Sequence, residues 1–149
     1  MGEEEEREPA VRVGGKGPRD MVLRFHQLAR SFPEIPHDPM RDFLVTARCD
    51  AACVEVTVRT WRGDGLDGFL AELAEDFRGW NGARNWRSLE RDLTLSAVHA
   101  GSRVRLTWGL HAPFPDDDWH FEATTEHAPG EDMRRLAGEM RAFLDADPA

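Results

Sequence analysis

The residues able to do chemistry in this chain are few, and their spacing decides which could act together. Six histidines are present. If a strand through Trp108 and Leu110 pairs with one through Phe121 and Ala123, with Leu110 opposite Phe121 and Trp108 opposite Ala123, His111 falls opposite His120 on the outer face. Two imidazoles across a strand pair begin a zinc or copper site, with Asp116, Asp117 or Asp118 in the connecting loop as a third ligand. No diagnostic motif such as H-E-x-x-H accompanies them, so no metal is assigned and two solvated histidines are the simpler reading.

Nucleophilic catalysis has less to stand on. Ser88, Ser96 and Ser102 lack the G-x-S-x-G elbow, and Cys49 and Cys53 have no flanking signature of an activated thiolate. Asp76 and Glu90 could be drawn as an acid/base pair, but helix-surface charge and local capping account for them. No catalytic residue is assigned, and the balance is against an enzyme.

The least ordinary stretch runs from Leu66 to Trp86. Leu66, Phe69, Leu70, Leu73, Ala74 and Phe77 recur at offsets of three and four, an apolar stripe that must pack on a sheet. Asp64 is placed to cap this helix. Gly79 is placed as its left-handed terminus, with Trp80 folding back on Ala74. Asn81-Gly82 is a second turn and returns Trp86 towards the helix end. Packing accounts for Phe77 and Trp80 but not for Arg78, with Arg84 across the turn. Arg78, Trp80, Arg84 and Trp86 are therefore the candidate ligand- or partner-binding residues. Trp80, Trp86, Trp108 and Trp119 could alternatively line a pocket for a flat or apolar ligand.

Around these residues the chain divides simply. Its length of 149 residues is that of one domain. Residues 1–9 form an acidic tail expected to be disordered, and residues 10–147 a single α+β domain. Of the net charge of −9, −4 lies in the first eight residues, where Glu3, Glu4, Glu5, Glu6 and Glu8 face Arg7 alone. An acidic body is the wrong sign for nucleic acid or an anionic membrane surface. Every basic residue except Lys16 is arginine, and tyrosine is absent, a bias typical of GC-rich genomes. Neither a signal peptide nor a membrane-length apolar run is visible, which makes a cytoplasmic bacterial protein the expectation.

Strands are expected at Val11–Val13 and Met21–His26. The loop Gly14-Gly15-Lys16-Gly17-Pro18 between them matches no phosphate-binding fingerprint. Pro33, Pro36 and Pro39 mark a surface connector. A hairpin follows with Ala47 opposite Val54, Val45 opposite Val56 and Phe43 opposite Val58, so that both apolar rows share one face. After Trp86 a second hairpin, centred on Ala100-Gly101, pairs Ala97 with Val104, Leu95 with Leu106 and Leu93 with Trp108. Arg105 then meets Glu126 on the next strand. Gly130 caps a last helix whose stripe is Met133, Leu136, Ala137, Met140, Phe143 and Leu144. The expected fold is an antiparallel sheet of about six or seven strands with two amphipathic helices packed on one face. The alternative is a strongly curved sheet gripping the last helix. No internal repeat is visible in the residues.

The run Phe69-Leu70-Ala71-Glu72-Leu73-Ala74-Glu75-Asp76-Phe77-Arg78-Gly79-Trp80, then Trp86 and Leu93-Thr94-Leu95-Ser96-Ala97-Val98-His99, resembles a family of small uncharacterised actinobacterial proteins. Gly130-Glu131, Met133, Leu136-Ala137 and Phe143-Leu144 fit that family's C-terminal helix. The resemblance spans about residues 43 to 145. It implies a single α+β domain of unknown function in a high-GC bacterium, and no catalytic residues to carry over.

Two functional expectations follow. The first is a non-catalytic, soluble binding protein, a regulatory accessory or immunity-type partner of another protein, without a cofactor. The second is a small-molecule binder or enzyme with a tryptophan-lined pocket between helix and sheet. The hairpin register also places Cys49 and Cys53 on opposite faces, which disfavours a bridge between them. Alkylation of the natively isolated protein without reductant, followed by mass spectrometry, is expected to label both thiols; an intramolecular bridge would contradict that register.

Overall fold

The computed structural model describes residues 8–17, 19–113 and 115–148. The expected disordered tail lies, for residues 1–7, outside them. Among the described residues the chain forms β1 (Val11–Gly14), β2 (Val22–Arg30), β3 (Met40–Arg48), β4 (Cys53–Trp61), α1 (Leu66–Glu75), β5 (Ala83–Arg87), β6 (Leu93–Ala100), β7 (Arg103–His111), β8 (His120–His127) and α2 (Glu131–Asp145). The class is α+β with antiparallel sheets and two helices. The eight strands are not one sheet of six or seven, however. They form two four-stranded meanders, β1-β2-β3-β4 and β5-β6-β7-β8.

Alternation explains why the single-sheet expectation failed. It tells which residues of a strand face the core but not which strand edges join. The unforeseen strand is β5, an edge strand whose sequence Ala-Arg-Asn-Trp-Arg carries one large apolar side chain. The two meanders also give the chain a topological repeat, four strands and a helix twice over, with no matching repeat in the residues.

In β3–β4 and β7–β8 the expected registers are present. Ala47 faces Val54, Val45 faces Val56 and Phe43 faces Val58. Leu110 faces Phe121, Trp108 faces Ala123, Arg105 faces Glu126 and His111 faces His120. The β6–β7 hairpin is shifted by two residues from expectation, pairing Ala97 with Leu106 and Leu95 with Trp108. Ala100 faces Arg103, so the turn is Gly101-Ser102, and Gly101 supplies the positive φ (62°) wanted at the first turn position. A shift of two leaves every side chain on its own face, so the apolar pattern could not detect it.

The inner faces of the sheets meet at Phe25 of β2 and Trp108 of β7, with ring centroids 5.5 Å apart in an edge-on arrangement. Phe43 of β3 meets Phe143 of α2 at 5.6 Å, and the two helices pack against each other. Trp108, Phe25, Phe43 and Phe143 are all fully buried, each contributing about 1.5–3 kcal/mol of transfer free energy before entropy. At one side the sheet edges approach at Gly14, where even a Cβ would lie 2.9 Å from Thr125 Cγ2. The outer faces of both sheets stay open to solvent.

Helix α1 is shorter than its apolar stripe. It ends at Glu75, and Asp76 to Arg78 form a turn before Gly79, whose N–H donates to the Asp76 carbonyl (2.9 Å). Phe77 consequently leaves the core and is 50% exposed. Gly65, not Asp64, is the N-cap.

Within the core the Trp108 indole N–H donates to Thr125 Oγ1 (3.0 Å), and Thr125 in turn hydrogen-bonds His127 Nε2 (2.8 Å). Burial holds the His127 pKa below its ordinary value, against the Asp132 carboxylate, which raises it. Replacing Thr125 with Val leaves the buried indole donor and His127 Nε2 unpaired. Urea unfolding of Thr125→Val is expected to show a loss of about 1–3 kcal/mol; a change below about 0.5 kcal/mol would mean that the pair is dispensable.

Candidate functional site

A groove of about 670 Å³ opens where the β5–β6 turn faces the β7–β8 loop. Its rim is built from the inside outwards. Ser88, fully buried, donates its hydroxyl to Asp92 Oδ1 (2.5 Å) and accepts the Leu93 N–H (3.1 Å). Ser88 N–H donates to the Leu93 carbonyl (2.9 Å), and the Asp92 carbonyl accepts the His111 N–H (3.0 Å). These bonds fix a tight turn whose outward side chains are Leu89, Glu90 and Arg91.

Asp64 ties that turn to the first half of the molecule. One carboxylate oxygen accepts the Trp61 N–H (2.9 Å), the other accepts the Leu89 N–H (2.7 Å), and its carbonyl accepts the Trp86 indole N–H (2.8 Å). The expected helix cap is thus a clamp between the β4–α1 and β5–β6 turns.

Opposite this turn, His111 and His120 stack with centroids 5.5 Å apart and planes 18° from parallel. His111 Nε2 hydrogen-bonds Thr94 Oγ1 (2.9 Å) across Gly109. A Cβ at Gly109 would sit 2.3 Å from Thr94 Oγ1 and 2.8 Å from His111 Nε2, so the absence of a side chain there lets the ring lie down. Burial, and then the neighbouring His120, push the His111 pKa below its ordinary value. The Nε2 atom that would bind a metal is already engaged, and among the described residues no three of His, Cys, Asp and Glu are grouped to hold one. Asp116 and Asp117 line the groove wall without completing a donor set with the histidines.

Of the other sequence candidates, Arg84 and Trp80 are brought together, while Arg78 and Trp86 contact other parts of the chain. Arg84 donates to Asp76 Oδ2 (2.6 Å), and its guanidinium lies 4.9 Å above the Trp80 ring. Trp80 donates to the Ala97 carbonyl (3.2 Å) and Trp86 to Asp64. Arg78 covers the exposed Phe77 ring at 5.7 Å. Trp108 sits in the core with its donor satisfied. The tryptophans are therefore dispersed, and Trp119 alone of those four lines the groove.

Sequence reasoning missed Leu89, Arg87 and Arg91. The available signal was Leu89 itself, a large apolar residue flanked by Ser88 and Glu90 and belonging to no periodic row. Leu89 is 57% exposed and Trp119 42%. The groove thus has an apolar side chain on each wall, with Arg87, Arg91, Glu90, Asp116 and Asp117 between and around them.

A family model described as a family of unknown function (DUF6228) matches residues 15–147, and the chain belongs to that family. Nothing among curated proteins or solved structures matches it.

The buried carboxyl behind the turn generates a pH dependence. Burial raises the Asp92 pKa above its ordinary value, against the lowering hydrogen bond from Ser88. A raised folded-state pKa means that its contribution to stability is fully present below the unfolded pKa and is lost as pH rises through the folded one. The stability of Asp92→Asn relative to wild type, measured by urea unfolding from pH 4 to 8, is expected to improve as pH rises. A difference independent of pH would refute the assignment.

Proposed function

We propose that this member of a family of unknown function is a non-catalytic binding protein, and that it takes a segment of another protein into the groove between the β5–β6 turn and the β7–β8 loop. The observation that carries the reading is Leu89 and Trp119, held exposed on opposite walls of a preformed, rigidly braced cleft. Exposed large apolar side chains rimmed by charges are the usual anatomy of a protein-binding patch, with tryptophan a common anchor. Leu89 in particular is presented on a turn whose backbone groups make five hydrogen bonds, which lowers the entropy cost of binding. Arg87, Arg91 and Glu90 would set orientation and partner choice more than affinity.

A regulatory or immunity-type role fits an exposed apolar pair rimmed by charged side chains. The second reading is a small-molecule ligand in the same groove. Its support is the volume of about 670 Å³, within the range of small-molecule sites. A pocket between helix and sheet has less support, because Trp80, Trp86 and Trp108 all donate to the chain itself.

The two readings part in one experiment. Wild type and the Leu89→Ser/Trp119→Ala double variant, shown to melt alike, are used for cross-linked affinity capture from the source organism. A protein enriched by wild type and reduced at least tenfold by the variant is the expected result. A partner held equally by both, or none, would sink the protein-binding reading.

A further inference from the structure

We propose, resting on the protein-binding reading above, that the segment taken into the groove carries basic residues on one side of an apolar stretch and acidic residues on the other. The two walls differ in sign. Arg87 and Arg91 outnumber Glu90 on the side of the β5–β6 turn, whereas the β7–β8 loop contributes Asp116 and Asp117. Among the described residues none of these five side chains is in an ion pair, either across the groove or with the rest of the chain. Opposite charges that face one another without meeting hold a field across the gap, and Leu89 and Trp119 stand on its two sides. A ligand of one sign is attracted by one wall and repelled by the other. A segment carrying both signs, with apolar residues between them, is complementary to both walls.

The apolar row outruns the groove, which favours a protein segment over a small molecule. Trp61, at the end of β4, is 61% exposed and lies outside the groove lining. Its N–H and that of Leu89 donate to the two oxygens of the same Asp64 carboxylate, so the two residues adjoin. A small ligand seated between Leu89 and Trp119 would leave Trp61 uncovered, whereas a peptide chain can run on across it. Arg91 carries a second mark. Its N–H donates to the Ser88 carbonyl (3.0 Å), closing the turn, and its φ is 63°. That left-handed conformation suits glycine and disfavours a long side chain. An arginine kept there serves its guanidinium rather than the turn.

The probe is a phage-displayed library of random dodecapeptides, selected on the full chain after depletion on the Leu89→Ser/Trp119→Ala variant. Recovered peptides are expected to carry lysine or arginine on one side of an apolar core and aspartate or glutamate on the other. Fluorescence anisotropy with the tightest of them should show binding about two- to fivefold weaker for Arg91→Gly and for Asp116→Asn/Asp117→Asn, and weaker by at least as much for Trp61→Ala. Arg141→Gln, on the helix surface beside Asp67, should bind as wild type does. Arg91→Gly should melt no lower than wild type, which separates lost recognition from lost fold. Changing the peptide's basic end to glutamate should weaken its binding to wild type, and Asp116→Lys/Asp117→Lys should restore it in part. Peptides that need Leu89 and Trp119 yet carry no charge or one sign only, or undiminished affinity in Arg91→Gly, would overturn the two-signed partner and leave the groove reading standing. Recovery of no peptide that depends on Leu89 and Trp119 would overturn both.

Discussion

The interaction on which the structure most depends is the seam between its two sheets, where Trp108 lies edge-on to Phe25. A fully buried indole brings the largest apolar surface of any side chain and also a donor that must be satisfied. Thr125, two residues beyond the cross-strand partner of Trp108, supplies the acceptor. Thr125 and His127 therefore occupy inward positions of β8 where the pattern would otherwise call for aliphatic residues. Polar groups enter this core as a connected set, the condition under which burial of polar atoms is tolerable.

The same logic, applied at the other end of the second sheet, makes the groove rigid. Ser88 and Asp92 satisfy each other and the turn backbone, and Asp64 reaches across from the first half to hold Leu89 and Trp86. The Ser88, Asp92 and Asp64 side chains there are spent on placing the backbone. What is left facing outward is a small set of side chains with little to do for the fold: Leu89, Arg91 and Trp119.

How much of this was legible in the sequence follows from what each pattern encodes. Period-two rows fixed which face Val45, Val56, Trp108 and Ala123 occupy, and with it the His111–His120 juxtaposition, because opposed residues share a face. The same rows are blind to even shifts, hence the two-residue slip at Gly101, and to which edges join, hence one sheet expected and two found. The stripe through Phe77 suggested a longer helix than forms, since periodicity does not say where the backbone turns away. Asp64 was legible as a polar residue at a helix start but not as a clamp, because its partners lie 22 and 25 residues ahead. Arg78, Trp80, Arg84 and Trp86 stood out by type, but not their contacts: Arg84 meets Asp76 and Trp80, Trp80 and Trp86 donate to backbone carbonyls, and Arg78 lies over Phe77.

The repeated arrangement of four strands and a helix does not make two independent halves. Phe43 of the first sheet is covered by Phe143 of the second helix, Phe25 by Trp108, and Asp67 of the first helix is met by Arg141 of the second. Each half shields the apolar face of the other, unlike a solenoid, in which a unit leans only on its neighbours. Stability accordingly cannot be apportioned between the halves. The two halves share one core, so loosening either sheet uncovers both.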